Sequence, residues 1–353
     1  MPDTILASPI AILGGTGPLG RGLAVRWARS GQPVVVGSRD GTRARALALE
    51  VAELAGPSSA PVDGAANAKA AAGAQVVCVA VPYGAQADLA RALAPALHGR
   101  VLIATAVPMQ FVDGSPVPVS VPAGSAAAEL AQLCPGARVV AALHTVSARH
   151  LLGPAPALQE DVLVTGDDPE ARALVVGLVG RIAGLRGLDA GPLVGAAATE
   201  RLTPILLGLN RRHRAELGLR LSGLPEPHLA VAAAWTEAYR RAWRAGDWAA
   251  AAALFTPDCV YRSHPLRPLT DARAYTERAF TDATVIDCRF GRPIVAGPDV
   301  AVEYWAVVRE AGTTSTLFGC DRLRLTPDGL CAMLRDTWAM ADGHHEPQEG
   351  WGE

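Results

Sequence analysis

Residues 10–20 join a short apolar strand to a glycine-rich turn, and few folds accommodate that combination. The run Ile10-Ala11-Ile12-Leu13 leads directly into Gly14-Gly15-Thr16-Gly17-Pro18-Leu19-Gly20. Three of these glycines have the G-x-G-x-x-G spacing, which gives a tight turn, close approach of the backbone to a pyrophosphate and close packing of helix on strand. The helix predicted from about Leu19 to Ser30 points its free N–H groups at that pyrophosphate. The residues predicted to contact a dinucleotide are Gly15, Thr16, Gly17, Pro18, Leu19 and Gly20.

The end of the next strand indicates which dinucleotide is bound. Val34-Val35-Val36 ends in Gly37-Ser38-Arg39, about one βαβ unit after the turn. An NAD enzyme carries Asp or Glu at this place, where the acid binds the ribose 2′-hydroxyl. The hydroxyl of Ser38 and the guanidinium groups of Arg39 and Arg43 suit a dianionic 2′-phosphate instead, so we predict NADP(H). Two alternatives stay open: a glycine turn that holds no nucleotide, and an Arg39 that is a solvated surface residue.

Length and composition limit the classes of protein to which the chain can belong. With 353 residues it is long enough for two or three domains, and half of its residues are hydrophobic. No apolar run reaches the roughly 18 residues of a membrane span, and the N-terminus lacks the pattern of a signal peptide. A net charge of -2 favours neither nucleic acid nor an anionic membrane as partner. The sequence therefore predicts a cytoplasmic protein whose partners are small molecules.

Cysteine spacing gives no sign of a metal site or a disulfide framework. The six cysteines form no C-x-x-C pair and lie mostly in apolar runs, so we interpret them as reduced core thiols and predict no metal. They are Cys78, Cys134, Cys259, Cys288, Cys320 and Cys331.

Up to about residue 150, apolar strands alternate with alanine-rich helices. Strands are predicted at 34–36, 76–80 and 101–104, and helices at 42–55 and 84–97. This alternation predicts an α/β unit, a Rossmann-type doubly wound parallel sheet. Residues 139–222 add a strand that ends at Ala142-Leu143-His144 and helices near 169–183 and 199–210, which we expect to cap the open edge of the cofactor cleft.

A change in the sequence pattern after Ser222 marks a domain boundary. The segment Ser222-Gly223-Leu224-Pro225-Glu226-Pro227 breaks the alternation with two prolines and a glycine. Beyond it we predict a helix with Trp235, Tyr239 and Trp243 on one core-facing stripe, a second helix after Leu269, and strands at 299–309, 314–325 and 330–339. This order predicts an α+β unit. The predicted divisions are a domain at 1–221, a linker at 222–228, a second domain at 229–342 and a tail at 343–353.

The first 221 residues resemble the NADPH-dependent reductases of the deazaflavin coenzyme F420. The matching segments run in family order: Gly14-Gly15-Thr16-Gly17-Pro18-Leu19-Gly20, Val35-Val36-Gly37-Ser38-Arg39, Ala142-Leu143-His144-Thr145, Leu188-Asp189-Ala190-Gly191-Pro192-Leu193, Leu202-Thr203-Pro204 and Glu216-Leu217-Gly218. The resemblance implies reversible hydride transfer between NADP(H) and F420. The NADP-binding positions that it implies are Thr16, Gly17, Pro18, Leu19, Ser38, Arg39 and Arg43.

The resemblance also implies where the two reacting rings lie. Pro82 and Tyr83 border the nicotinamide half of NADP, and the residues that line the deazaflavin slot are His144, Ala148, Leu207 and Leu217. The chain departs from the family at Pro18, at Ser147 and at His213-Arg214-Ala215, where the family has Asn, a loop proline and glycines. We expect a less rigid loop at Ser147 and a narrower pocket near Arg214.

Hydride transfer between two flat rings needs a dry slot that holds them at reacting distance. Val107, Pro108 and Leu207 are apolar residues suited to line such a slot. We find no Tyr-x-x-x-Lys pair or paired carboxylates placed to protonate a carbonyl substrate. Reduction of F420 also requires a proton on its ring, for which His144 or water is the candidate source; alternatively, His144 only forms hydrogen bonds within its loop.

Residues 229–342 resemble the polyketide-cyclase-like, or SnoaL-like, branch of the nuclear transport factor 2-like superfamily, which implies an α+β cone. The resemblance rests on Ala245-Gly246-Asp247-Trp248, Leu254-Phe255-Thr256-Pro257-Asp258, His264-Pro265-Leu266-Arg267-Pro268 and Arg335-Asp336-Thr337-Trp338. Period-two alternation places Asp321 and Asp336 on the apolar faces of their strands, where burial raises carboxyl pKa values. We predict a pocket formed by Asp321, Asp336 and His264; alternatively, a buried arginine or indole N–H satisfies each acid.

The leading hypothesis from the sequence is a homodimeric NADP(H) and F420 oxidoreductase with an appended small-molecule-binding or dimerisation domain. One alternative is an NADPH-dependent reductase of an organic substrate. The other is a non-catalytic module that senses NADP.

Overall fold

The computed structural model describes residues 8–154, 157–224, 227–262, 269–326 and 328–352. The chain divides into two compact units, Met1–Leu221 and Ser222–Glu353. His264 lies outside the described residues, so the structure says nothing of its predicted place in a pocket.

The N-terminal unit is built on a large sheet with the order β10-β9-β8-β5-β4-β1-β2-β3. Six neighbouring strands, from β3 across to β8, are parallel. β9 is antiparallel to β8 and parallel to β10, while β6 and β7 form a separate hairpin. The strands are β1 (Ile10–Leu13), β2 (Val34–Ser38), β3 (Val62–Ala66), β4 (Val76–Val79), β5 (Val101–Ala104), β6 (Met109–Val112), β7 (Ser115–Pro118), β8 (Arg138–Ala141), β9 (Glu160–Gly166) and β10 (Leu185–Asp189).

Helices cover both faces of this sheet. They are α1 (Pro18–Arg29), α2 (Gly41–Ala55), α3 (Asn67–Ala72), α4 (Tyr83–Leu97), α5 (Ala126–Leu133), α6 (Ala148–Leu152), α7 (Pro169–Gly180), α8 (Ala196–Thr199) and α9 (Leu202–His213), with a 3-10 turn at Leu193–Gly195. β1, β4 and β5 are buried at every residue, as expected of strands that helices cover on both sides. Two apolar cores result, one on each face of the sheet.

Three strands of the N-terminal sheet, β3, β9 and β10, were missed by the sequence analysis. Residues 160–166 and 185–189, expected to help cap the cleft, instead form β9 and β10 and extend the sheet beyond β8. Two acidic residues at its start, Glu160 and Asp161, made β9 hard to recognise from the sequence. Charged residues are rarely buried, yet both are buried here. Asp161 is compensated: its carboxylate accepts two hydrogen bonds from Arg186 at 2.8 Å and one from the Leu221 N–H at 2.7 Å. Its own N–H donates to the Leu219 carbonyl at 2.7 Å.

The C-terminal unit is an α+β structure whose sheet has the strand order β12-β11-β17-β16-β15-β13, and β14 also pairs with β15. The long antiparallel strands predicted from the sequence are β15, β16 and β17, and β11 runs parallel to β17. The helices are α10 (Pro227–Ala245), α11 (Trp248–Ala252) and α12 (Ala272–Asp282). The strands are β11 (Phe255–Arg262), β12 (Thr270–Asp271), β13 (Thr284–Phe290), β14 (Ile294–Ala296), β15 (Asp299–Glu310), β16 (Thr313–Leu325) and β17 (Cys331–Asp342).

The aromatic stripe of α10 lies in the core of the C-terminal unit. Trp235 and Tyr239 stack with ring centroids 5.1 Å apart, and both meet the edge of the Phe255 ring. Trp243 continues the stripe against Phe290 at 6.2 Å. The stripe is therefore a packing face of the helix, as the spacing predicts.

The residues after β17 pack back onto the same unit. The Trp305 indole donates to the His345 carbonyl at 2.9 Å, and its ring meets the edge of Trp351 at 6.1 Å. Within the described ranges the structure has no helix of the length and apolar character needed to cross a bilayer.

Candidate functional site

The loops that carry most of the predicted cofactor contacts lie at one edge of the N-terminal sheet. β1, β2, β4, β5 and β8 are parallel, so their carboxyl ends meet there. β1 lies between β2 and β4, and ligands of open α/β sheets bind at such a reversal of strand order. The predicted residues at or after these strand ends are Gly15 to Gly20 after β1, Ser38, Arg39 and Arg43 after β2, Pro82 and Tyr83 after β4, Val107 after β5 and His144 after β8.

The turn after β1 has the close packing that its glycines predict. Gly14 has a φ of +75°, a conformation that glycine adopts without strain. The Gly15 N–H donates to the carbonyls of Ile12 and Gly37, both at 3.1 Å. A Cβ atom on Gly20 would lie 2.6 Å from the Gly15 Cα, so only glycine lets α1 approach β1 this closely. The turn therefore has the form of a pyrophosphate cradle.

The N-terminus of α1 is polarised towards this cradle. Gly17 is the N-cap, has extended backbone and supplies no capping side chain, and Pro18 occupies the first helical position. The first turn contains no acidic residue. The N–H groups of Leu19 and Gly20 belong to that turn, where a helix provides no acceptor of its own, so they suit an anion.

The residues after β2 combine a buried hydroxyl with exposed cations. Ser38 is buried and its Oγ accepts a hydrogen bond from the Asp40 N–H at 3.3 Å, whereas Arg39 and Arg43 are exposed. The structure also assigns a role to Asp40, which the sequence analysis missed: its carboxylate caps α2 by accepting from the Thr42 N–H at 2.8 Å. Arg39 and Asp40 occupy adjacent positions, and the Asp40 carboxylate caps the helix rather than binding a ribose hydroxyl.

A buried carboxylate, that of Glu200, connects the helices beyond β5 and was missed by the sequence analysis. Glu200 is 3% exposed and accepts from the N–H groups of Ala126 and Ala127 at 2.9 and 3.0 Å, so it caps α5. Burial raises the pKa of Glu200. Burial and the nearby carboxylates of Glu129 and Glu200 raise the pKa of Tyr83, at the start of α4. A lone acid after the small residues 195–199 is the sequence signal that could have indicated this contact.

His144 is buried and uncharged. It is 8% exposed, and burial lowers its pKa to about 4, so the imidazole is neutral at pH 7. Its Nε2 atom has no hydrogen-bond partner among the described residues. The preceding residue, Leu143, has a φ of +66°, and the His144 carbonyl accepts from the Thr203 hydroxyl at 2.9 Å. A neutral imidazole can hydrogen-bond a ligand here, but it holds no cationic proton to give away.

A cavity of about 700 Å³ lies beside α6 and α9. It contains two of the predicted deazaflavin residues, Ala148 and Leu207. Leu217 is placed nearby, since its N–H donates to the Asn210 side chain at 2.8 Å and Asn210 lines the cavity. The full lining is Phe111, Ser147, Ala148, Arg149, Leu207, Asn210, Arg211, Arg214, Ala215 and Glu216.

Ser147 is held in place more firmly than the sequence analysis expected. Its hydroxyl donates to the Glu216 carboxylate at 3.0 Å and also caps α6, accepting from the Arg149 N–H at 3.2 Å. Glu216 in turn pairs with Arg149 at 2.9 Å. These contacts replace the rigidity that a proline would supply.

The two predicted acids of the C-terminal unit lie directly opposite each other on β16 and β17. Asp336 accepts from the hydroxyls of Tyr261 at 3.0 Å and Tyr304 at 3.1 Å. Burial raises the pKa of Asp336 to about 6 against the effect of these two donors. Asp321 is 6% exposed, and burial together with the charge of Asp336 holds its pKa well above the usual range. The partners of Asp336 are tyrosine hydroxyls and not the buried arginine or indole N–H of the alternative hypothesis.

None of the six cysteines forms a disulfide bond, and five of them are buried. In the described part of the chain no group of three or more His, Cys, Asp or Glu side chains is arranged to hold a metal ion.

Comparison with known proteins gives the family of the chain. Residues 9–108 match the family described as NADP oxidoreductase, coenzyme F420-dependent. An F420-dependent NADP reductase of Methanothermobacter thermautotrophicus is 37% identical over 227 residues, which are 63% of this chain and 98% of that protein. One of Methanocaldococcus jannaschii is 32% identical over 61% of this chain and 98% of its own length. The chain belongs to the F420-dependent NADP reductase family.

A solved structure supports this membership of the F420-dependent NADP reductase family. It comes from Arthrobacter sp. FB24, is assigned as an F420-dependent NADP reductase, and is 30% identical with a TM-score of 0.53, covering 61% of this chain and all of that one. Residues 236–333 match the SnoaL-like domain. The α/β Rossmann-type fold and the appended α+β domain predicted from the sequence are thereby confirmed.

Proposed function

We propose that the N-terminal unit transfers a hydride between NADP(H) and coenzyme F420. The observation that carries the proposal is the uncapped N-terminus of α1 behind the cradle of Gly15 and Gly20, at the reversal of strand order in the sheet. The curated relatives that match this unit are F420-dependent NADP reductases.

The residues present fit NADP(H). The pyrophosphate is assigned to the backbone of residues 15–20, where a side chain on Gly15 or Gly20 would meet backbone or β2. Ser38, Arg39 and Arg43 are assigned to the 2′-phosphate, because a hydroxyl and two guanidinium groups complement a dianion. Pro82, Tyr83 and Val107 are assigned to the nicotinamide side, since the ends of β4 and β5 adjoin that of β1.

The deazaflavin is assigned to Ala148, Leu207 and Leu217, with His144 on the neighbouring loop. When bound, the two cofactors supply the redox chemistry themselves. The task of the chain is to hold the rings together and to exclude water, for which an apolar lining is suited. We assign to the neutral His144 a hydrogen bond that orients a ring, and to water the delivery of the proton.

Mixing the purified protein with NADPH and F420 tests the proposal. We expect the deazaflavin absorbance to bleach with NADPH and much more slowly with NADH. Binding of NADPH without bleaching would refute the assigned acceptor and favour reduction of another substrate or a sensing role. Absence of any heat when NADP is titrated into folded protein would refute the whole assignment.

We further propose a homodimer that acts in the cytoplasm. α9 buries only Pro204 and leaves Ile205 and Leu209 exposed at 58% and 36%, so its apolar face lacks a cover within the described unit. Six unbonded thiols suit a reducing compartment. Light scattering coupled to size exclusion should give twice the mass of one chain, and Ile205→Glu should shift it towards one chain. A monomeric wild-type protein would contradict the proposal.

For the C-terminal unit we propose binding of an uncharged small molecule at Asp321 and Asp336. The observation that favours it is a carboxyl, Asp321, that is 6% exposed and lies directly opposite a second acid, Asp336. A protonated carboxyl there can donate to a carbonyl oxygen, while the tyrosine-held Asp336 accepts. With 2-cyclohexenone as probe, we expect a lowered carbonyl stretching frequency on binding, lost in Asp321→Leu and kept in Asp321→Asn. An unchanged frequency in the wild-type protein would leave the pair with a structural role only.

A further inference from the structure

The cavity beside α9 has two chemically different sides. One side is apolar, with Phe111, Ala148 and Leu207. The other presents three guanidinium groups, those of Arg149, Arg211 and Arg214, against a single carboxylate. A flat apolar ring fits the first side, and negative charge on the same ligand would complement the second.

The charges on the second side do not balance internally. Glu216 is used by Arg149, with which it pairs at 2.9 Å. Arg211 and Arg214 take part in no ion pair with any residue that the structure describes, although both line the cavity. Two positive charges are therefore left for a ligand or for solvent.

The fold places both arginines at the cavity, with their side chains exposed. The Arg211 guanidinium lies against the turn between β6 and β7, where a Cβ atom on Gly114 would be 3.3 Å from its Nη1 and Nη2 atoms. Arg214 terminates α9 in the left-handed conformation, with a φ of +51°, and the Ala215 N–H that follows donates to the Asn210 carbonyl at 3.1 Å. The backbone therefore holds the Cα of Arg214 at the wall of the cavity.

Basic residues at the end of a helix also have a plain structural use, since they complement the helix dipole. Arg212 is in the same last turn of α9 and serves that purpose equally, but it does not line the cavity. Left-handed backbone is unfavourable for arginine, and glycine would be the better cap at position 214. Helix stability alone thus accounts for Arg212 and not for Arg214.

We infer that Arg211 and Arg214 bind the anionic arm of the acceptor and make the site select a flat apolar ring that carries a phosphodiester over the same ring without one. The inference rests on the proposed function, in which the ring is that of F420. Coenzyme F420 carries a phosphate followed by carboxylates on a flexible arm, and the chromophore with only its sugar alcohol carries neither. Recognition therefore extends beyond the reacting ring to groups that take no part in hydride transfer.

The test compares three acceptors with NADPH: F420 with its glutamate tail, F420 with the phosphate but no glutamate, and the chromophore without phosphate. We expect the double variant Arg211→Ala/Arg214→Gly to lose at least about tenfold in kcat/KM for both phosphorylated acceptors, since a charge-assisted hydrogen bond to phosphate contributes that factor. The chromophore should lose nothing. A loss confined to the tailed acceptor would assign the arginines to the carboxylates and overturn the phosphate assignment.

Arg212→Ala is the matched control, and all three rates should stay at the wild-type level. Arg214→Gly alone should raise the melting temperature or leave it unchanged, because it removes left-handed strain, so weaker binding cannot come from unfolding. Equal loss for the chromophore, or wild-type protein that uses it as well as F420, would overturn the inference. If no acceptor is reduced, the proposed function fails instead, and quenching of F420 fluorescence by the same variants still decides whether the arginines bind it.

Discussion

Replacing Gly20 by alanine tests whether the packing of α1 on β1 positions the cofactor. The new Cβ atom would lie 2.6 Å from the Gly15 Cα and 3.0 Å from the Gly14 carbonyl oxygen. Carbon atoms in contact are about 3.5–4.0 Å apart, so the helix and the turn must separate by roughly 1 Å. Both of these neighbours are backbone atoms, and no side chain can move aside to absorb the shift.

The separation displaces the N–H groups that face the pyrophosphate. A misplacement of about 1 Å costs about a hundredfold in rate, and overpacking of this kind costs about 1–3 kcal/mol of stability. We expect Gly20→Ala to remain folded, to bind NADP at least about tenfold more weakly in calorimetry and to lose about a hundredfold in kcat/KM for NADPH.

Gly177→Ala is the matched control, since it adds the same methyl group to α7, where nothing lies within 4 Å. It should bind NADP as the wild type does and should gain up to about 1 kcal/mol from the better helix propensity of alanine. Wild-type affinity in folded Gly20→Ala would refute the reasoning, because the close approach would then have no part in cofactor binding.

Three further predictions concern the other parts of the chain. Arg39→Ala should weaken NADPH about tenfold or more and leave NADH nearly unchanged, because only NADPH carries the 2′-phosphate; an unchanged ratio of the two KM values would reject the assignment. Asp336, whose pKa burial raises to about 6, binds its proton more tightly in the folded than in the unfolded state, so its contribution to stability is complete below about pH 4 and is lost as the pH rises through 6. Urea unfolding of the C-terminal unit should therefore shift to lower midpoints across that interval, and Asp336→Asn should flatten the shift. A chain that ends at Leu221 should keep the NADPH-dependent reduction of F420. A folded but inactive product would show that the second unit completes the site, or an oligomer that the site requires.

The carboxyl edge of the N-terminal sheet could be predicted from the sequence because its signals are local. Glycine spacing after β1 and the Ser38-Arg39 pair after β2 report on a single turn and a single strand end. The same holds for the aromatic stripe of α10, which three residues at four-residue spacing define. Each signal requires only the period of one element.

The features that were missed depend on partners far away in sequence. β9 begins with two buried acids, and Asp161 is tolerated there only because Arg186 and the Leu221 N–H reach it. Glu200 caps a helix 74 residues earlier. The expectation of a loose loop at Ser147 likewise overlooked Glu216, 69 residues away. Local pattern cannot supply such compensation, since it is produced by the fold itself.

The bonds around Asp161 determine where this chain can be recombined. Leu219 and Leu221 close the backbone against β9, and Leu221 is also the last residue of the first unit. A graft that replaces everything from Ser222 onward would retain the full set of donors to the Asp161 carboxylate. One that begins a few residues earlier would have to reproduce the backbone path that brings the N–H of position 221 to Asp161, and loss of that hydrogen bond would cost about 1–3 kcal/mol. Residues 219–221 therefore belong to the packing of the first unit, and a boundary placed after Leu221 keeps both backbone bonds to Asp161 intact.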